Sequence, residues 1–174
     1  METIRKGALC MDQYLSKYAS PLGNIMLTSD EQCLTGLWFE NRMHHLPKGS
    51  HTYISRETPV LRQTKDWLDI YFSGKEPPFF PPLHLTGSDF QKEVWEILRR
   101  IPYGKTITYG DIAAEIAQKR GIKKMSAQAV GGAVGHNPVA VIVPCHRVMG
   151  AKGNLTGYTG GIDLKIALLK LEQK

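Results

Sequence analysis

Apolar and polar positions along this chain change rhythm near its middle. Gln13 to Ser20 is a short run of β character, Pro21-Leu22-Gly23-Asn24 is a turn signal, and Ile25 to Thr28 starts a second run. Cys33 to Phe39 reads as a third, with Leu34 and Leu37-Trp38-Phe39 supplying apolar mass. Together they predict an antiparallel meander. Thr58-Pro59 then opens a helix, Thr as N-cap and Pro at the first helical position. Val60, Leu61, Thr64, Trp67, Leu68 and Tyr71 recur at helical spacing, and Gly74 ends the run. Lys75 to Pro82 contains four prolines and cannot continue a helix, so it reads as a connection.

Beyond that connection the helical period dominates. Phe90, Val94, Ile97, Leu98 and Ile101 mark one amphipathic helix that stops before Pro102. Tyr103-Gly104-Lys105 is a turn, and Thr106 to Thr108 is short and β-branched. Thr108 caps a helix running to about Gln118. A basic loop follows with Lys119, Arg120, Lys123 and Lys124, and Ser126 caps a further helix to about His136. Val139 to Val143 is apolar and β-rich and reads as a buried strand. After a Gly-rich stretch at 150–161, Ile162, Ile166, Leu168 and Leu169 mark a closing helix. Strands first and helices second predict an α+β chain with two parts, 1–85 and 86–174.

Charge sharpens this division. Residues 1–85 carry 9 Lys+Arg and 9 Asp+Glu, whereas 86–174 carry 13 and 7, so all of the net +6 lies in the second part. Such a bias suits either a polyanionic partner, most often nucleic acid, or a solvated basic surface. No apolar run reaches the roughly 18 residues that a membrane span needs. Met1 to Lys6 is not followed by the apolar block of a signal peptide, so the expected location is the cytoplasm. The cysteines are Cys10, Cys33 and Cys145. An odd count without CxxC spacing argues against a disulfide framework and gives no strong zinc signal. No metal site is expected.

The helices at about 108–118 and 126–136, joined by the basic loop, form a helix-turn-helix candidate. The second is built almost wholly of small residues, and Gly131, Gly132 and Gly135 each cost about 1 kcal/mol of helix propensity relative to Ala. Either close packing against another helix or entry into a narrow groove of a partner offsets that cost. Only Gln128 could reach a base edge, so sequence-tolerant binding fits better than base reading.

Pro144-Cys145-His146-Arg147-Val148 follows the expected strand, where a rigid scaffold can present a reactive group. An unassisted thiol has a pKa near 8.5, so a nearby base or positive charge must raise the thiolate fraction, and His146 and Arg147 are candidates. In an extended segment adjacent side chains face opposite ways. Cys145 and His146 would then communicate through a bound water, with a carboxylate orienting the imidazole. Taken alone, a Cys-His pair reads more readily as a structural Cys beside an incidental His.

The wider pattern changes that balance. Asn137-Pro138, then Pro144-Cys145-His146-Arg147-Val148, then Gly157-Tyr158-Thr159-Gly160-Gly161, resemble the O6-alkylguanine-DNA alkyltransferases, also called methylated-DNA-protein-cysteine methyltransferases. The likeness covers about 88–174 strongly, including Tyr103-Gly104 and Thr108-Tyr109, and 13–85 loosely. It implies a ribonuclease-H-like N-terminal sheet with a helix as supporting domain. It also implies a mostly helical, winged-helix-like second domain carrying the helix-turn-helix and the reactive Cys. The implied reaction is irreversible transfer of an alkyl group from O6 of guanine, and also O4 of thymine, to Cys145. The target base is flipped out of the duplex, and the protein acts as a monomer without a cofactor.

Position by position, the resemblance implies Cys145 as acceptor, His146 as the residue that deprotonates it through water, and Glu172 as the carboxylate orienting His146. Asn137 would tie the helix-turn-helix to the active-site segment, and Tyr109 would help rotate the nucleotide and donate a proton to the departing base. Val148, Tyr158, Thr159, Val134 and Ala140 would line the substrate pocket, Thr159 standing where Ser is common. Ala127, Gln128, Ala129, Gly131, Tyr109, Lys123, Lys124 and Arg147 would meet DNA. The family commonly carries Arg where this chain has Gln128. Three other readings compete: a lesion-binding protein without transfer, which would lack the acceptor cysteine; a cysteine hydrolase, which needs Cys and His in direct contact; and a sequence-specific regulator.

Overall fold

A computed structural model describes residues 12–41 and 52–174. Cys10 and the N-terminal residues used to judge a signal peptide lie outside them. The first part is the expected meander. β1 (Gln13–Ser20) pairs antiparallel with β2 (Gly23–Ser29), which pairs antiparallel with β3 (Leu34–Phe39). A short strand the sequence did not announce, β4 (Tyr53–Ser55), adds in parallel to β1, giving the order β3-β2-β1-β4. Helix α1 (Pro59–Phe72) packs on this sheet through Val60, Leu61, Thr64, Trp67, Leu68 and Tyr71, all buried. Thr58 caps it by accepting from the Leu61 N–H, and its hydroxyl also meets Ser29 Oγ at 2.8 Å, tying helix to sheet.

The outer edge of β3 is put to use. The proline-bearing connection lies along it: Leu34 N–H donates to Pro82 O at 2.8 Å, and His84 N–H to Leu34 O at 2.9 Å. Further along, Leu37 N–H donates to Pro138 O at 2.9 Å and Ala140 N–H to Leu37 O at 3.0 Å. An otherwise open strand edge is therefore closed by the linker and by the segment preceding Cys145.

The second part is helical. α2 (Asp89–Arg99) has a complete capping box from Ser88 and Gln91. It buries Val94, Ile97, Leu98 and Trp95, whose indole N–H donates to Ala133 O at 2.8 Å. β5 (Ile107–Thr108) leads into α3 (Tyr109–Arg120), where Thr108 and Asp111 form another capping box and Gly121 closes the helix at φ 63°. α4 (Ala127–Gly135) is capped by Ser126 and packs against α2 and α3. β6 (Val148–Met149) pairs in parallel with β5, which sets the start of α3 beside the cysteine segment. α5 (Ile162–Leu171) closes the chain.

Val139 to Val143 is buried as expected but is not a strand. Val139 makes one isolated bridge to Leu37, and the chain then folds into tight turns, Val141 adopting φ 68°. Apolar composition reported burial here, but the Asn137 side chain bonds the backbone of Val139 and Val143 and holds the segment in turns. α5 is also corrected in detail. Ile162 is exposed, whereas Leu168 and, unexpectedly, Lys165 are fully buried. No helix among the described residues is long and apolar enough to cross a membrane.

Candidate active site

The turns at 139–143 owe their shape to Asn137. Its side-chain amide donates to Val143 O at 2.7 Å, and its Oδ1 accepts from Val139 N–H at 3.0 Å. One side chain at the end of α4 thus fixes the segment that presents Cys145. Cys145, His146 and Arg147 then form a single 3₁₀ turn. The extended geometry expected for Cys145 and His146 is therefore replaced by a tight turn, in which successive side chains fan around the axis.

His146 and Arg147 both meet Glu172, the residue that caps the C-terminus of α5. His146 Nε2 lies 2.6 Å from Glu172 Oε1. Arg147 donates from Nε to Oε2 at 2.9 Å, from Nη2 to Oε1 at 3.0 Å, and from Nη1 to Ile101 O at 2.8 Å. The Gly104 N–H adds a longer bond to Oε2 at 3.3 Å. Burial pushes the Glu172 carboxyl up, but the hydrogen bonds from His146 and Arg147 outweigh it and hold it down to about 2. Burial holds the His146 imidazole below its ordinary value against the pull of Glu172. Burial, with the Arg147 and Lys165 charges acting the same way, favours the neutral imidazole. A carboxylate cannot donate, so Nε2 carries the proton and Nδ1 carries the lone pair. Nδ1 is buried and has no partner among the described residues.

The same geometry corrects the role foreseen for Arg147. Its guanidinium is enclosed and committed to Glu172 and Ile101, so it is not a DNA contact and not the charge beside the thiol. That charge comes from Lys165, which the sequence reading passed over. Its ammonium donates to Val148 O and, at 3.3 Å, to Thr156 O. A lysine on the helix face that carries Leu168 was the available signal. Burial lowers Lys165, while the Cys145 charge pulls it up. For Cys145 itself burial pushes the thiol up, and hydrogen bonding from Asn137, its own backbone and Tyr158, together with the Lys165 charge, pull it down.

Cys145 opens onto a cavity of about 410 Å³. Val134, Ala140, Tyr158 and Thr159 line it, and half of the lining comes from the N-terminal part, including Thr28, Asp30, Trp38, Tyr53 and His84. Val148 does not: it is fully buried and its carbonyl is taken by Lys165. Thr159 Oγ1 donates to Gly135 O at 3.1 Å, fastening the 154–161 loop to α4. Tyr109 sits at the start of α3, its hydroxyl donating weakly to Gly157 O at 3.3 Å and Thr156 O at 3.4 Å. Burial and then the Cys145 charge raise its pKa.

A second, shallower depression is lined by Tyr109, Ala127, Gln128, Gly131 and Gly157 on the outer surface. Ala127, Gln128 and Ala129 are exposed in the first turn of α4, and Lys123 and Lys124 are exposed in the loop before it. Lys119 and Arg120 differ, both turning back to Glu93 on α2. Gly131 and Gly132 of α4 are not demanded by packing among the described residues. A Cβ at Gly132 would meet nothing within 4 Å, and at Gly131 only the Tyr109 ring at 3.9 Å.

Comparison with known proteins agrees with the resemblance read from the motifs. A family model described as 6-O-methylguanine DNA methyltransferase, DNA binding domain, matches residues 89–174. The ribonuclease-like domain of the same family matches 13–85. The methylated-DNA--protein-cysteine methyltransferase of Mycobacterium bovis is 44% identical over 154 residues, 88% of each chain. That of Methanosarcina acetivorans is 42% identical over 161 residues, 91% of this chain and 97% of the relative. Among solved structures, the Mycobacterium tuberculosis O6-methylguanine methyltransferase aligns with TM-score 0.77 at 41% identity, covering 92% of this chain and 93% of that one. Mycobacterium tuberculosis OGT in complex with DNA aligns with TM-score 0.76 at 40% identity, covering 93% and 92%. With likeness of this depth through both halves, the chain belongs to the methylated-DNA-protein-cysteine methyltransferases.

Proposed function

We propose that this protein repairs duplex DNA by taking the alkyl group of O6-alkylguanine, and of O4-alkylthymine, onto Cys145, once per molecule and as a monomer. The observation that carries this reading is a cavity of nucleobase size lined by Cys145, whose chain neighbour His146 is paired with Glu172 in the buried interior. A base inside a duplex is out of reach, so it is extruded into that cavity. The Nδ1 lone pair of His146 accepts the Cys145 proton through a water, and Lys165 stabilises the thiolate. The sulfur attacks the alkyl carbon in line, a C–S bond forms, and the C–O6 bond breaks with its electron pair going to the base. Tyr109, which its surroundings keep protonated, supplies the proton that neutralises the leaving base. The thioether has no ready hydrolytic exit, so the protein is consumed.

Ala127, Gln128, Ala129 and Gly131 form the surface that enters the minor groove, with Lys123 and Lys124 on phosphates. The open space beside Gly132 supports a requirement for smallness set by the partner. Gln128 hydrogen-bonds the orphaned cytosine without the charge an Arg would bring. After incubation with an O6-methylguanine duplex, intact-mass measurement is expected to find the chain heavier by one methylene and the Cys145→Ala protein unchanged. A mass gain that survives Cys145→Ala would remove Cys145 as the acceptor.

A further inference from the structure

The buried cluster behind Cys145 holds a third participant, from the N-terminal part of the chain. Tyr71 is the last buried position of α1 and is fully enclosed. Its hydroxyl donates to Glu172 Oε1 at 2.8 Å, the same oxygen that accepts from His146. With its hydrogen directed at the carboxylate, its oxygen lies 3.4 Å from His146 Nε2. The ring cannot swing away: it stacks on Trp67 at 5.2 Å and meets Phe72 and Tyr103 edge-on at 5.3 and 6.2 Å. A phenylalanine would fill this space equally well, and a buried hydroxyl costs free energy unless it is bonded.

We infer that Tyr71 is a positioning residue for alkyl transfer, holding Glu172 Oε1 and through it the proton-accepting His146, so that the N-terminal domain supplies part of the relay. This rests on the reading of His146 as the group that deprotonates Cys145. The charged and titratable groups around the pair are Glu172 and Lys165 from α5, Arg147 from the 3₁₀ turn, and Tyr103 from the turn before β5. Among the described residues, Tyr71 is the one hydroxyl that donates to this carboxylate. Arg147 already spends its donors on both carboxylate oxygens and Ile101, and the buried Tyr103 hydroxyl makes no hydrogen bond among the described residues. Burial and the adjacent carboxylate keep the Tyr71 hydroxyl protonated far above neutral pH.

In Tyr71→Phe, Oε1 loses one of its donors, and its charge acts more strongly on the imidazole. The midpoint of His146 is then expected to rise by roughly 0.5–1 pH unit, and the acid limb of the alkyl-transfer rate to move up with it. Both are measurable in the full protein, the first by NMR titration of the imidazole nitrogens, the second from single-turnover rates on an O6-methylguanine duplex across pH. A purely structural tyrosine would lower Tm and leave both midpoints in place, and that result overturns the proposal. His146→Gln separates the two levels. If its pH profile matches that of the unaltered protein, the relay reading itself fails. If it abolishes the acid limb while Tyr71→Phe superimposes on the unaltered protein, only the role of Tyr71 fails.

Discussion

Replacing Glu172 by Gln tests whether the cluster behind Cys145 is the charge-balanced unit its distances describe. The carboxylate accepts from Arg147 at 2.9 and 3.0 Å, from His146 at 2.6 Å and from Tyr71 at 2.8 Å, with its side chain fully shielded from solvent. Glutamine keeps the shape but leaves the Arg147 charge buried and uncompensated, a loss of roughly 3–5 kcal/mol. At about 2–4 °C per kcal/mol for a chain of this size, Tm is expected to fall by about 6–20 °C. A second signature lies in the pH dependence. The carboxyl is held at about 2 against an ordinary 4.5, so its stabilising contribution is complete above 4.5 and is lost as pH falls toward 2. The size of that contribution is about 3 kcal/mol at 1.36 kcal/mol per unit. The variant has no such group to titrate. Urea unfolding at neutral pH and at steps below 4.5 is therefore expected to show the two proteins converging in stability. Parallel curves, a constant difference at every pH, would refute the buried ion-pair account.

Two further outcomes follow from the same geometry. Lys165→Met removes the positive charge that lowers the Cys145 thiol and strips the carbonyls of Val148 and Thr156 of a donor. The Cys145 midpoint is expected to rise, read from the pH dependence of iodoacetamide alkylation, and stability to drop by roughly 1–3 kcal/mol; an unmoved midpoint would remove Lys165 from the thiolate's surroundings. Lys123→Ala with Lys124→Ala removes two exposed cations at the proposed phosphate contacts. The slope of log affinity for duplex DNA against log salt is expected to flatten by about 2, and an unchanged slope would place the DNA elsewhere.

Much of this architecture was written locally in the sequence. Thr58, Thr108 and Ser126 each announced a helix start because a hydroxyl at an N-cap satisfies backbone donors whatever the rest of the fold does. The buried face of α1 could be listed residue by residue from its period. Features set by tertiary contact were not legible. Val139 to Val143 has the composition of a strand, but Asn137 folds it into turns, and no periodicity records a side-chain-to-backbone bond six residues ahead. β4 is a three-residue strand with no pattern of its own, and it exists because β1 offers an edge. Arg147 looked like a cation for a polyanion because charge read from sequence carries no direction, and the structure turns it inward to Glu172. Tyr71 entered only as a core aromatic, and Lys165 did not enter at all. Their polar ends matter only because chain segments distant in sequence bring Val148 O and Glu172 to them. The cysteine motif was recognisable as a pattern, but the geometry between Cys145 and His146 was not, since it depends on a single 3₁₀ turn.

The claim at the centre of this account is that a thioether forms at Cys145 and stays there. The most direct measurement supplies O6-methylguanine duplex in large excess and counts repaired bases per protein chain over time. A plateau at one equivalent, with the protein unable to repair further after the DNA is removed, is the result expected. Continued repair past one equivalent would contradict it, since the carbon would then be leaving the sulfur.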